Sequence, residues 1–596
     1  MLVNSQQAAR LLPVLIIAGS VTLAAGTACR RAAPPMAPPT RTDSSDENDR
    51  DSDAARPGET SVVPEIAQGD GRSDGKLETA PNATEFGQQL YARHCEACHG
   101  TQGDGQGIAA AYLFPKPRNI QAGRFRLIST SNNVPSRDDL HAVLLRGIPG
   151  SSMPPWAHLS QVERDALVDE VMRLRLLGAR ARYVTILREE DELTDEEISA
   201  EDVQQETQEY VDGFTTPGES TPVPDFGPPT EEGLARAKEA YATFGCLQCH
   251  GNEGKGDGVQ KMVDDEGYPT APRDFTAGIF KGGSDPASLY RRIAYGMPGT
   301  PMPSSNQMAP DQVVELVHYV RSLSTEAQRQ AAVLNREQII VKALATLPEA
   351  ASDETWSDVP SVSLRMAPLW WRNDADPDLR VQAVHDVKAM VVRISWSDSQ
   401  QDRHAASSES FEDAVAMQLY RGDAEPFLGM GGPRSAVDVW FWDADRQGIP
   451  LAVEELYPNA VVDIYPFSET VVTTAELDRD GARTADQPDI SLPARAAGNQ
   501  IIPSGSESGA SSLAGGGPGS STFRPPTSQH VHGVGQWRDG RWIVLMTRPL
   551  ALDSEGDGVS LKPGDKASVA FAVWDGAAQD RDGKKLITIW QDLVLE

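Results

Sequence analysis

The stretch CEACHGTQGDGQG, Cys95 to Gly107, returns as CLQCHGNEGKGDG from Cys246 to Gly258, and this duplication constrains the chain more than any other feature. Self-similarity of this kind points to one small domain used twice. The surroundings of the two copies match as well. Apolar residues at helical steps precede each first cysteine: Phe86, Leu90 and Tyr91 in one copy, Leu234, Ala237, Tyr241 and Phe244 in the other. A Gly-rich loop and a Pro-Arg element follow, PKPRNI and TAPRDF, and then RGIPGSSMPPW and YGMPGTPMPSS. A closing helix is entered through a capping box, Ser160 to Glu163, in the first copy. In the second it is carried by Val313, Leu316, Val317, Val320 and Leu323. The pattern predicts two small all-α units, over 83–185 and 229–335.

Two cysteines spaced by two residues and followed at once by His form the attachment pattern of a c-type haem. Cys95 and Cys98 with His99, and Cys246 and Cys249 with His250, are therefore candidate sites for two covalent haem c groups. The thiols would form thioethers and each His would reach the iron. Zinc is the competing reading of paired cysteines, but each pair has too few further ligands nearby and the pairs lie in separate units. A thioredoxin-type redox pair would need a βαβ context that is missing. Met153 and Met302 stand at matching places, 54 and 52 residues after the two His, and are the candidate sixth ligands. A thioether there raises the reduction potential and closes the iron to small molecules. Met297 competes in the second copy but aligns less well. His141, His158 and His318 read as helix or surface residues. Arg118 and Arg273, in the matched Pro-Arg element, are candidates for pairing with haem propionates, with a solvated arginine as the equal alternative. Through GQQLYARHCEACHG with GIPGSSMPP, and AYATFGCLQCHG with GMPGTPMP, the two regions resemble class I cytochrome c domains. That resemblance implies a small helical fold around one His/Met haem.

Four of the five cysteines belong to these motifs, and the fifth is Cys29. Residues 1–29 read as an export signal, with Arg10 before the apolar run LLPVLIIAGSVTLAAG. Small residues directly before Cys29 resemble a bacterial lipobox, which makes Cys29 a candidate lipidation site holding the chain at the periplasmic side of a bacterial membrane. Gly26 stands where Leu is usual, and an ordinary signal peptide is the alternative. Residues 30–82 are predicted to be a disordered tether and 186–228 an acidic, Pro-rich linker, with a short helix in its first half as the alternative. With 54 Lys and Arg against 86 Asp and Glu, the net charge of -32 argues against a nucleic-acid partner.

After a short linker, 336–351, the character changes. Ten of the 11 Trp lie in 352–596, and alternating apolar residues appear in KAMVVRISW, AVDVWFW, RWIVLMT, ASVAFAVW and KLITIW. These predict a mainly-β, sandwich-like domain with a low-complexity insertion near 480–527. The line FEDAVAMQLYRGDAEPFLGMGGPRSAVDVWFWDAD, with GQWRDGRWIVLMTRPL and AFAVWDGAAQDRDGKKLITIWQDLVL, resembles the haem-binding gamma subunits of ethylbenzene dehydrogenase, dimethylsulfide dehydrogenase and nitrite oxidoreductase. The resemblance implies one non-covalent haem b between an axial Met, here Met430, and an axial Lys, here Lys585, with Lys584 one residue away. His530 and His532 are alternative ligands. It also implies redox partner proteins with molybdenum and iron-sulfur centres.

The expected whole is two cytochrome c domains followed by a β haem-binding domain: an electron-transfer subunit rather than a catalyst, since no nucleophile with a base stands out. Two other readings stay open, a dihaem cytochrome with a non-haem β binding module and a haem peroxidase.

Overall fold

The structure is a computed structural model; it describes residues 83–372, 378–403, 411–432, 435–447 and 508–596, with the short strand pair Val461–Val462 and Val472–Thr473. The export signal, Cys29, the tether and residues 480–507 of the expected insertion lie outside the described residues.

The first repeat unit begins with helix Ala83–His94, followed by a single turn, Glu96–His99, that carries the second cysteine and the histidine. Ser136 and Ser160 each cap the next two helices, Arg137–Arg146 and Gln161–Glu189, with Asp139 and Glu163 completing capping boxes. Leu90, Tyr91, Leu140, Leu144, Leu167, Val168 and Trp156 close its core. The second unit repeats the plan with Glu231–Thr243, Cys246–His250, Pro286–Tyr295 and Pro310–Ser322. It adds a hairpin, Met262–Val263 with Pro269–Thr270.

The stretch 186–228, expected to be a linker, is partly folded. Gln161–Glu189 overruns the expected boundary, and helix Glu201–Thr215 packs back along it. Thr207 and Val211 are buried, Tyr210 stacks on Tyr183 at 4.5 Å, and Phe214 lies 4.4 Å from the Arg175 guanidinium. An acidic helix is held because one narrow stripe of it is apolar.

The C-terminal domain is one sheet of 14 strands among the described residues. It starts earlier than expected: within the supposed linker 336–351, Gln338–Ala343 runs parallel to both Gln591–Leu595 and Asp378–His385. Arg336, just before it, pairs with Glu425 and Asp592 at 2.7 and 2.5 Å. Part of the expected insertion is ordered too, since Ala510–Gly515 pairs along the whole of Val437–Asp443. The sheet turns back on itself, with Gly509 N donating to Gly533 O at 2.9 Å. Trp396, Trp442 and Trp542 meet in its interior, with ring centroids 5.0 to 6.5 Å apart. Gly535 lets Trp442 lie flat on the neighbouring backbone, because a Cβ there would come within 2.1 Å of the indole.

The three domains touch through specific groups. Arg126 pairs with Asp264 and Arg118 with Glu266, both at 2.6 Å, so the hairpin of the second unit caps the first. Phe114 N donates to Leu369 O at 2.9 Å, Leu369 N donates to Lys585 O at 2.9 Å, and Trp371 N donates to Phe114 O at 2.8 Å. The first unit is thereby joined by backbone hydrogen bonds to the segment that carries Lys585. No helix among the described residues is long and apolar enough to cross a membrane.

Candidate cofactor sites

In the first unit one helical turn puts Cys95 and Cys98 beside His99. Gly100 follows at φ +79, where a Cβ would meet the Asp104 carboxylate at 2.1 Å; Gly251 repeats this with Asp257. Tyr91 Oη donates to Gly100 O at 2.9 Å, and Tyr241 Oη donates to Gly251 O at 2.9 Å. His99 Nδ1 lies 2.9 Å from Arg118 O, which fixes the ring and leaves Nε2 for another partner. Burial pushes the Cys95 and Cys98 thiols up to about 12.

The sixth-ligand candidates occupy equivalent turns. Ile148 N donates to Met153 O at 3.0 Å, and Met297 N donates to Met302 O at 3.2 Å. Ser151 Oγ and Thr300 Oγ1 each accept from the methionine N–H at 3.3 Å. Met302 is therefore the counterpart of Met153, and Met297 is the counterpart of Ile148. The histidine environments differ. His250 stacks on Phe275 at 4.8 Å and its Nδ1 is buried without a hydrogen-bond partner, an orphan that marks this pocket as built around something more than the chain.

A cavity of about 950 Å³ joins the first unit to the β domain. Cys95, Cys98, His99 and Met153 line one part, and Met430 and Lys585 line another. Met430 sits at φ +72 with its carbonyl accepting from Gly517 N at 2.9 Å. Phe427, Val439, Leu513, Ala570 and Trp574 provide apolar walls. Lys585 Nζ stands 4.7 Å from the Trp574 ring centroid, and burial brings its ammonium down to about 8, toward the neutral form an iron ligand needs. Lys584 instead places Nζ 3.4 Å from Gln579 O on the exposed side.

The remaining histidines have other occupations. His141 pairs with Asp165 at 2.8 Å, His318 Nε2 lies 3.0 Å from Phe226 O, and His158 packs on Trp156. His530 lies 3.6 Å from Asp557, and His532 is exposed; neither lines the cavity.

Sequence reasoning missed His94 and Lys281, and it named Arg273 without placing it in the first unit's cavity. His94, beside Cys95, is buried against Trp156 at 4.9 Å and lines the cavity. Arg273 and Lys281 belong to the second unit yet line the cavity that holds Cys95 and His99. Arg273 is buried, lies 4.2 Å over the Trp371 ring, and leaves Nε and Nη2 without hydrogen-bond partners. Burial and then Arg126 bring its guanidinium down to about 9; Lys281 is driven well below its usual range by burial and Arg273. Both donate to Ala271 O, Arg273 through Nη1 at 3.3 Å and Lys281 through Nζ at 3.2 Å, and the remaining Arg273 N–H groups fit an anionic cofactor edge. No spacing in the sequence places one unit's cations in the other's cavity.

Three regions match known families: 82–169 the family described as cytochrome c oxidase, cbb3-type, subunit III, 234–324 cytochrome c, and 353–586 ethylbenzene dehydrogenase. The chain joins two cytochrome c domains to a domain of the ethylbenzene dehydrogenase family. The chain is 27% identical over 249 residues to a putative respiratory nitrate reductase heme subunit of Haloferax mediterranei, covering 41% of this chain and 67% of the relative. The dimethylsulfide dehydrogenase subunit gamma of Rhodovulum sulfidophilum is 27% identical, with 41% of this chain and 73% of the relative covered. For the chlorate reductase subunit gamma of Ideonella dechloratans the figures are 23%, 44% and 88%. The ethylbenzene dehydrogenase-family match ends one residue after Lys585, so both Met430 and Lys585 fall inside it.

Proposed function

We propose that this chain is a three-haem electron relay: haem c on Cys95, Cys98, His99 and Met153, haem c on Cys246, Cys249, His250 and Met302, and haem b between Met430 and Lys585. Each haem, when bound, supplies a one-electron iron couple. The residues supply everything else. The paired cysteines would tether each haem c, His99 is oriented through Arg118 O, and the methionines would close the iron against other ligands. Met430 is set by its left-handed backbone, while burial brings Lys585 toward neutrality. Arg273 and Lys281 would hold carboxylate edges.

The observation that carries this reading is the shared cavity. Residues of both sites line it, His99 and Met153 of the first unit and Met430 and Lys585 of the β domain. By relation to the gamma subunits, the β domain would exchange electrons with a molybdenum and iron-sulfur oxidoreductase, and the second cytochrome domain with a further acceptor or donor. Cys29 would anchor the chain by lipid at the periplasmic face.

Pyridine haemochrome spectra of the full chain matured with adequate haem test the reading. Two c haems and one b haem are expected, and two c haems with no b haem would remove the β domain from the relay. Lys585→Gln is expected to abolish the b spectrum while Lys584→Gln leaves it unchanged.

A further inference from the structure

At one end of the β domain three strand ends bring carboxylates together. Asp398 follows strand Ala389–Ser397, Asp413 precedes Ala414–Tyr420, and Asp575 follows Lys566–Trp574. One oxygen from each lies within 4.8 Å of the other two. That is about twice a calcium–oxygen distance of ~2.4 Å, the diameter of a coordination sphere. Asp413 is fully buried and Asp398 is 8% exposed.

The local hydrogen bonds do not satisfy this much charge. Asp413 is well supplied, accepting from Gly576 N, Asp402 N and Trp542 Nε1 at 2.7 to 2.9 Å. Asp575 Oδ1 accepts from Ala578 N at 3.0 Å. Asp398 Oδ1 accepts from Gln400 N at 3.0 Å, but its Oδ2 is buried with no donor among the described residues. The neighbouring Asp402 Oδ2 is also buried with no donor among the described residues. Arg372 stands 3.5 Å from Asp575 and 3.0 Å from Asp580. Burial, and then the Asp413 charge, push the Asp398 carboxyl up, while burial and Asp402 push Asp413 up. Carboxylates packed this closely must share a proton or enclose a cation.

We propose that Asp398, Asp413 and Asp575 bind a divalent cation of the calcium type. An all-oxygen set without nitrogen or sulfur disfavours zinc. Magnesium demands near-ideal octahedral geometry and retains several waters, which a site this buried does not suit. The position gives the ion a structural task. Glu412, Ala414 and Trp574, the immediate neighbours of two ligands, line the haem cavity, so the ion would pin two strand ends of that wall. The proposal does not rest on the relay reading.

The test is calorimetric titration of Ca²⁺ into the full holoprotein after chelator treatment and dialysis, with the thermal midpoint measured with and without Ca²⁺. One saturable site and a raised midpoint are expected. Asp398→Asn and, separately, Asp575→Asn should weaken binding by about tenfold or more and remove the midpoint response, with Mg²⁺ a poor competitor. Absence of both Ca²⁺ heat and midpoint response in the unaltered chain would overturn the proposal. So would undiminished Ca²⁺ binding in both variants. If the carboxyls merely share a proton, Asp398→Asn relieves repulsion and stabilises a Ca²⁺-indifferent protein, which also overturns it.

Discussion

His94 shows what a single residue can hide. The CxxCH pattern draws attention to Cys95, and the residue before it passes as a helix terminus. Yet burial, helped by Arg93, brings its imidazole down to about 4. The folded chain therefore binds this proton less readily than the unfolded chain, where the group titrates near 6.5. Stability tied to neutral His94 is present above pH 6.5 and is lost as the pH falls toward 4, by up to about 3 kcal/mol. His94→Gln should flatten that part of the curve. Denaturant unfolding of the holoprotein at a series of pH values between 7 and 4 measures it, and parallel curves for the two proteins would refute the assignment. The residues whose chemistry is written as a spacing, namely the four motif cysteines, His99, His250, and the matched Met153 and Met302, fall on equivalent turns of the two units. Arg273 was visible as half of a repeated Pro-Arg pair, but its burial over Trp371 was not, since that contact spans two domains.

At the scale of elements, the repeat, its helices and the alternating strands were readable because each obeys one period. Two stretches show their period less openly, one because of its composition and the other because of its shortness. Residues 201–215 carry enough Glu, Asp and Gln to read as solvated linker, yet Val203, Thr207, Tyr210, Val211 and Phe214 form one stripe at helical steps. Gln338–Ala343 was too short to assign, and its two partners lie far away in sequence. The helix prediction can be checked. Val211 is buried against the long Gln161–Glu189 helix, so Val211→Ala should destabilise that helix pair by about 1–3 kcal/mol. The c-haem spectra should be untouched, because Val211 does not line the cavity. Limited proteolysis, comparing cleavage between residues 190 and 228 in the two proteins, reads the loosening directly. Equal cleavage rates would mean that the helix adds nothing to the cytochrome domain.

The whole molecule holds what no local pattern could give, namely that the second cytochrome domain completes the surroundings of the first. Arg273 and Lys281 reach into the cavity beside Cys95 and His99, and Arg126 is tied to Asp264 across the same junction. A buried positive charge favours the reduced, more negative state of a nearby iron and so raises its potential; removing the charge lowers it. Arg273→Gln should therefore lower the potential of one c haem by several tens of millivolts. Asp264→Asn, which frees Arg126 from its partner, should raise it. An exposed cation supplies the control: Lys255, paired with Glu253 at the surface, should shift nothing when changed to Gln, since solvent screens it. Spectroelectrochemical titration of the full holoprotein gives all three numbers. To identify the haem, each substitution is repeated in a Met153→His background, in which the first-domain haem is displaced to a distinct low potential. The Arg273 and Asp264 shifts should follow that haem. If they follow the other c haem instead, the second domain's cations serve only its own site, and the junction is a mechanical contact rather than an electrostatic one. Opposite signs from Arg273 and Asp264, on one haem, are an outcome that general loosening of the junction would not produce.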